Sequence, residues 1–164
     1  MSEPRRLGPA DASLEVHTFR EGAAAKVGHD LVLAVTRWEA TVDGEAVSLT
    51  ADPGSIEVRE GRGGVKPLSD RDRSEIVRNI AGKVLGTGRI EFAGTAAGEG
   101  DGWEVVGDLT MAGATRPLRV RLDAAWRGRV TLRQSDWGIK PYRGLMGALK
   151  VRDAVEVVIA GPPA

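Results

Sequence analysis

Apolar and polar side chains alternate with a period of two along most of this sequence, between glycine-bearing turns, and that pattern restricts the chain to half-buried β-strands. Leu31, Leu33 and Val35 alternate with Val32, Ala34 and Thr36, both rows largely apolar, as in a strand covered on two sides. Past Arg37 the pattern sharpens: Trp38, Ala40 and Val42 face one way, and Glu39, Thr41 and Asp43 the other. Asp43-Gly44 supplies a hairpin turn, since glycine accepts the positive φ that such turns require. Val47, Leu49 and Ala51 resume the alternation, Pro53 and Gly54 interrupt it, and Ile56 and Val58 extend it. Further strand texture covers residues 84–93, 103–111, 118–124 and 126–133, and a last run spans about 149–159. A long irregular piece, 135–147, precedes that last strand.

The period changes once. After Gly61-Arg62-Gly63-Gly64, Ser69 and Asp72 fit a capping box, and Ile76, Val77 and Ile80 fall on one helical face. Gly82 is the expected terminator. The reading is therefore all-β in the main, antiparallel, with about eight long strands and one short helix. Strands longer than the usual ~5–6 residues need a buried face along their whole length. Closing the sheet into a barrel supplies that face and removes the exposed edges. A barrel of ~8 strands is just wide enough to be filled by side chains or to hold one small ligand. Alternation alone leaves both alternatives open.

At 164 residues the chain is the size of one domain, expected over residues 13–160 behind a flexible tail at 1–12. The tail has no apolar core of the secretory type, and no stretch reaches the 18 or so apolar residues of a membrane-spanning helix. A cytoplasmic location is expected on that basis, with a homodimer left open. Basic and acidic side chains balance at 23 each, so no overall field is expected to recruit nucleic acid or an anionic membrane. Cysteine is absent, which excludes disulfides, thiolate metal sites and cysteine nucleophiles.

Catalytic signatures are missing. There is no Gly-x-Ser-x-Gly elbow, no His-Glu-x-x-His and no phosphate-binding loop. Gly86-Thr87-Gly88 lacks the third glycine of a nucleotide fingerprint. His17 and His29 would need a third ligand from Asp30 or Glu15, with nothing in the spacing to favour it, so no metal and no cofactor are expected. Arg116, Arg119, Arg121, Arg127, Arg129 and Arg133 mostly alternate with apolar residues and read as a solvated outer face rather than a nucleic-acid surface. Glu99 and Asp101 flank Gly100 in a turn that lacks the other ligands of a calcium loop.

Several segments, in order, resemble the YceI-like proteins, lipocalin-like barrels associated with polyisoprenoid binding. They are Gly28-His29-Asp30-Leu31, the charged run from Asp70 to Ile76 (without the usual histidine), and Arg89-Ile90-Glu91-Phe92. The run from Gly107 to Leu118 is the most specific, and Arg133 to Ile139 follows with Trp137 where Phe is common. The resemblance covers 13–159. It implies a barrel with an apolar interior that accommodates a long isoprenoid chain, and a non-enzymatic binder or carrier with no catalytic residues.

On that implication the inward rows become a ligand lining: Trp38, Val42, Leu49, Phe92, Leu109, Met111, Leu118, Val120 and Leu132. The segment 140–149 carries Tyr142, Arg143, Leu145 and Met146 between glycine hinges and is expected to form a lid at the barrel mouth. With His29, these residues would meet a polar head group. The alternative is a filled barrel acting as a protein-interaction module.

Overall fold

The structure, a computed structural model, describes residues 3–86, 88–147 and 149–160, with Leu145 described in its backbone alone. The strands in chain order are β1 (Arg5–Leu7), β2 (Ser13–Thr18), β3 (Arg20–Glu21), β4 (Asp30–Val35), β5 (Trp38–Asp43), β6 (Ala46–Ala51) and β7 (Ile56–Arg62). The helix α1 (Asp70–Asn79) follows, then β8 (Ile90–Glu99), β9 (Gly102–Met111), β10 (Ala114–Leu122) and β11 (Gly128–Arg133). The chain ends with β12 (Arg143–Gly144), β13 (Leu149–Val151) and β14 (Ala154–Ala160).

One antiparallel sheet of eleven strands runs β1-β5-β6-β8-β9-β10-β11-β14-β2-β4-β7, and β12-β13-β3 form a small second sheet. Eleven exceeds the eight expected because long strands are broken at bends. Residues 30–43 and 46–62 pair along their whole length, from Asp30↔Arg62 to Asp43↔Ala46. They bend together where Thr36 and Arg37 face residues 52–55. There the Thr36 N–H donates to the Ser55 carbonyl and the Asp52 N–H to the Arg37 carbonyl, both at 3.1 Å. The Ser55 hydroxyl accepts from the Arg37 N–H at 2.9 Å, so the corner keeps its polar groups satisfied.

Residues 5–18 behave alike: β1 pairs with β5 and β2 with β4, on either side of a turn at 8–12. Joined through these bends, the chain forms eight long antiparallel strands, and the β14–β2 pairing brings the ladder back to its start. The result is a lipocalin-like barrel.

Three local expectations are corrected. The tail expected over 1–12 is in part a strand, since Arg5, Arg6 and Leu7 pair with Val42, Thr41 and Ala40. One apolar residue in a three-residue strand is too short an alternation to register in sequence. The single run expected over 149–159 is two strands in different sheets. Gly82 does not end the helix: α1 begins at the expected capping box but runs on into a wider π turn, Ile80–Val84. The Leu85 N–H closes that turn on the Ile80 carbonyl at 2.8 Å, and positive φ appears only at Gly86 (73°). The wider turn brings Val84 and Leu85 against the apolar residues of the barrel, and that packing outweighs the cap signal.

Buried residues form two groups, one around Leu109, Met111, Leu132, Trp137, Ile139 and Val155, the other around Leu33, Val35, Ala51 and Ile56. No large side chain among the described residues falls below 2 % exposure. In a filled barrel, inward side chains of this size would close on one another. Here they stop short.

Candidate ligand cavity

Because strands alternate in direction, their connections alternate between the two ends of the barrel. Of the described residues, 19–29, 63–86, 88–89, 112–113, 134–147 and 149–153 lie at one end, and 44–45, 100–101 and 123–127 at the other. The interior holds a cavity of about 880 Å³ lined chiefly by apolar side chains from the barrel strands.

All nine residues expected to face inward line it: Trp38, Val42, Leu49, Phe92, Leu109, Met111, Leu118, Val120 and Leu132. Sequence reading missed Leu14 and Val16 of β2, Val157 and Ile159 of β14, and Ile76, Ile80, Val84 and Leu85 of the helical segment. The alternation of Val155, Val157 and Ile159 could have revealed the β14 row. The helix face could not be assigned, because nothing local says which way a short amphipathic helix turns once a barrel surrounds it.

The first end is the mouth. Val27, Val65 and Tyr142 line the cavity there and are exposed, while His29, Lys66, Leu68 and Leu149 complete the rim. The His29 Nε2 meets the Lys66 carbonyl at 2.8 Å, and since a carbonyl only accepts, Nε2 carries the proton. Arg20 ties three mouth segments together: its Nη1 donates to the carbonyls of Gly28 at 2.8 Å and Arg62 at 3.0 Å, and its backbone N–H to Asp30 Oδ1 at 2.8 Å.

The proposed lid needs correction. Tyr142 lines the cavity, but Arg143 is exposed in β12, and Met146 is wholly exposed with φ 57°. Neither of the two lines the cavity, because β12 and β13 hold this segment beside the mouth rather than across it. The side chain of Leu145 lies outside the described residues, as does Thr87 of the glycine pair.

Two indole rings stand at the far end. Trp126 lines the cavity and stacks on Trp103, with ring centroids 5.6 Å apart. Trp126 sits at φ 61°, in the left-handed region that bulky residues avoid. Asp123 holds it there: its carbonyl accepts from the Trp126 N–H at 3.0 Å, and its carboxylate from the N–H groups of Arg127 (2.9 Å) and Ala125 (2.8 Å). The Arg127 N–H, the largest influence, keeps the Asp123 carboxyl below the usual range.

Two indoles in the interior differ. Trp137 Nε1 donates to the Leu109 carbonyl at 2.9 Å, whereas Trp38 Nε1 is buried without a partner among the described residues. The histidines stay apart, His17 beside Glu15 at 3.2 Å, and no group of three His, Asp or Glu among the described residues could hold a metal ion. Arg119, Arg121 and Arg129 reach Glu104, Glu99 and Glu156 within 4 Å, an ion-paired outer wall. No helix of the described residues is long and apolar enough to cross a membrane.

The YceI-like domain family matches residues 12–161. The chain belongs to that family. Among solved structures, the crystal structure of Burkholderia cenocepacia BcnA is similar with a TM-score of 0.60, covering 90 % of this chain and 96 % of that one. At 16 % identity that likeness shows the fold. No curated protein matches. The segments that carry the YceI-like resemblance frame the cavity: Gly28-His29-Asp30 enters β4 at the mouth, 70–76 begins α1, 107–118 is the β9–β10 hairpin, and 133–139 delivers Trp137 to the core.

Proposed function

We propose that this YceI-like domain binds one apolar or amphipathic lipid of isoprenoid type inside the barrel and carries it without chemical change. The observation that carries this reading is the 880 Å³ cavity, walled by apolar side chains none of which is fully buried. Its size lies at the upper end of the ~300–1,000 Å³ usual for ligand sites, as a long chain requires. Binding rests on desolvation: each methylene taken from water contributes about 0.8 kcal/mol before the cost of ordering the chain. At the mouth, Lys66, His29 and Tyr142 stand where a polar head group would remain wet.

The test is native mass spectrometry of protein purified from a lipid-containing host. An extra mass that disappears on organic extraction is expected, and the stripped protein should take up prenyl lipids with a change in tryptophan fluorescence, because Trp38 and Trp126 line the cavity. Bare mass in every preparation, with unchanged fluorescence after incubation with several prenyl lipids, would overturn the reading.

A further inference from the structure

We propose that the mouth end of the barrel is a docking surface for an anionic lipid bilayer, into which its exposed apolar side chains insert while the surrounding lysines and arginines meet the head groups. Of the six exposed large hydrophobic residues among those described, Val27, Val65, Tyr142 and Met146 belong to three separate connections, all at this end. Val65 is 71 % exposed and Met146 106 %. Met146 combines that exposure with φ 57°, a backbone region disfavoured for its side chain, so neither packing nor local comfort accounts for its position. Apolar residues ringed by charge and raised on separate loops suit insertion into the head-group layer.

Charge selects the partner. The mouth-end connections 19–29, 63–89 and 134–153 hold twelve Lys and Arg against six Asp and Glu. The rest of the chain holds eleven against seventeen, so the balanced total conceals a molecule that is positive at its mouth and negative elsewhere. Lys26 and Lys66 adjoin Val27 and Val65 in sequence, and Lys140 and Lys150 bracket Tyr142 and Met146. An anionic bilayer answers both features at once. It also lets an apolar ligand pass between membrane and barrel without crossing water, which extends the lipid-binding reading but can be tested apart from it. A nucleic acid would satisfy the charge and leave the exposed Val and Met side chains in water.

The experiment is co-sedimentation with vesicles of phosphatidylcholine alone and of phosphatidylcholine mixed with phosphatidylglycerol. Binding is expected to the mixed vesicles only, weakening as salt screens the surface. Lys140→Glu should lower the affinity about fivefold or more, the scale set by one basic residue at an anionic surface. Met146→Asp should lower it comparably, while Val106→Asp, at an exposed apolar position on the barrel wall away from the mouth, should leave it unchanged. Neither Lys140 nor Met146 lines the cavity, so lipid occupancy of both variants in solution, read by native mass spectrometry, should match the parent. Vesicle binding without preference for phosphatidylglycerol, an equal loss in Val106→Asp, or tighter association with a DNA duplex at the same salt would overturn the docking surface. An empty barrel that still binds anionic vesicles would support it and count against lipid carriage instead.

Discussion

Trp38 and Trp137 are two indoles placed against the same apolar interior with opposite polar outcomes. The Trp137 N–H donates to a strand carbonyl, and at 4 % exposure neither group has water as a substitute. Replacing it with Phe removes that bond while the Leu109 carbonyl keeps its place in the β8–β9–β10 ladder, a loss of about 0.5–1.5 kcal/mol beyond the ring contact that both variants give up. Among the described residues Trp38 has no such bond to lose. Trp38→Phe removes a buried donor that already lacks its partner, which offsets much of the lost ring contact, and stability should stay within about 1 kcal/mol of the parent. Urea unfolding of the two variants checks the contrast. Equal destabilisation would mean that the Trp38 N–H is satisfied in solution.

At the scale of elements, α1 depends on a cap that titrates. Ser69 accepts from the Asp72 N–H at 3.1 Å, and Asp72 accepts from the Ser69 N–H at 3.0 Å. The Ser69 N–H, with its hydroxyl second, holds the Asp72 carboxyl below the usual range. Because the folded carboxyl is the stronger acid, its stabilising contribution is complete above the ordinary aspartate range near 4 and is lost as pH falls through the lowered value. Backbone carbon shifts of residues 70–73 should therefore lose helical character on acidification. Asp72→Ala should show the same loosening at neutral pH. The rest of the helix should hold, since the Arg73 Nη1 donates to the Val58 carbonyl at 2.8 Å and ties α1 to β7. Helical shifts that persist in Asp72→Ala would show that packing alone sets the start of this helix.

The barrel as a whole closes around a space that its own side chains do not fill. A ligand that binds only the folded state adds stability in proportion to the logarithm of its concentration. Calorimetry of the stripped protein should show a melting temperature that climbs with added prenyl lipid, by the equivalent of ~2.7 kcal/mol at a hundredfold excess over Kd. A melting temperature indifferent to prenyl lipid would count against interior binding. The separation of charge between the two ends is a property of the same scale: each connection is unremarkable in sequence, and only their common end makes a surface.

Period-two alternation was sufficient in the sequence for the antiparallel strands, and for the inward side of Trp38, Leu49, Phe92, Leu109 and Leu132, because a strand fixes the side of each residue locally. The Ser69–Asp72 cap was legible for the same reason: its bonds span three residues. What lies between distant segments was not legible. The short pairing of Arg5–Leu7, the continuation of the helix through Gly82, the inward face of Ile76 and Ile80, and the position of Met146 outside the mouth each depend on partners far away in sequence. Whether the barrel is filled or hollow belongs to the same class, since it depends on whether inward rows from eight strands meet across the axis, and each row taken alone reads the same in either case.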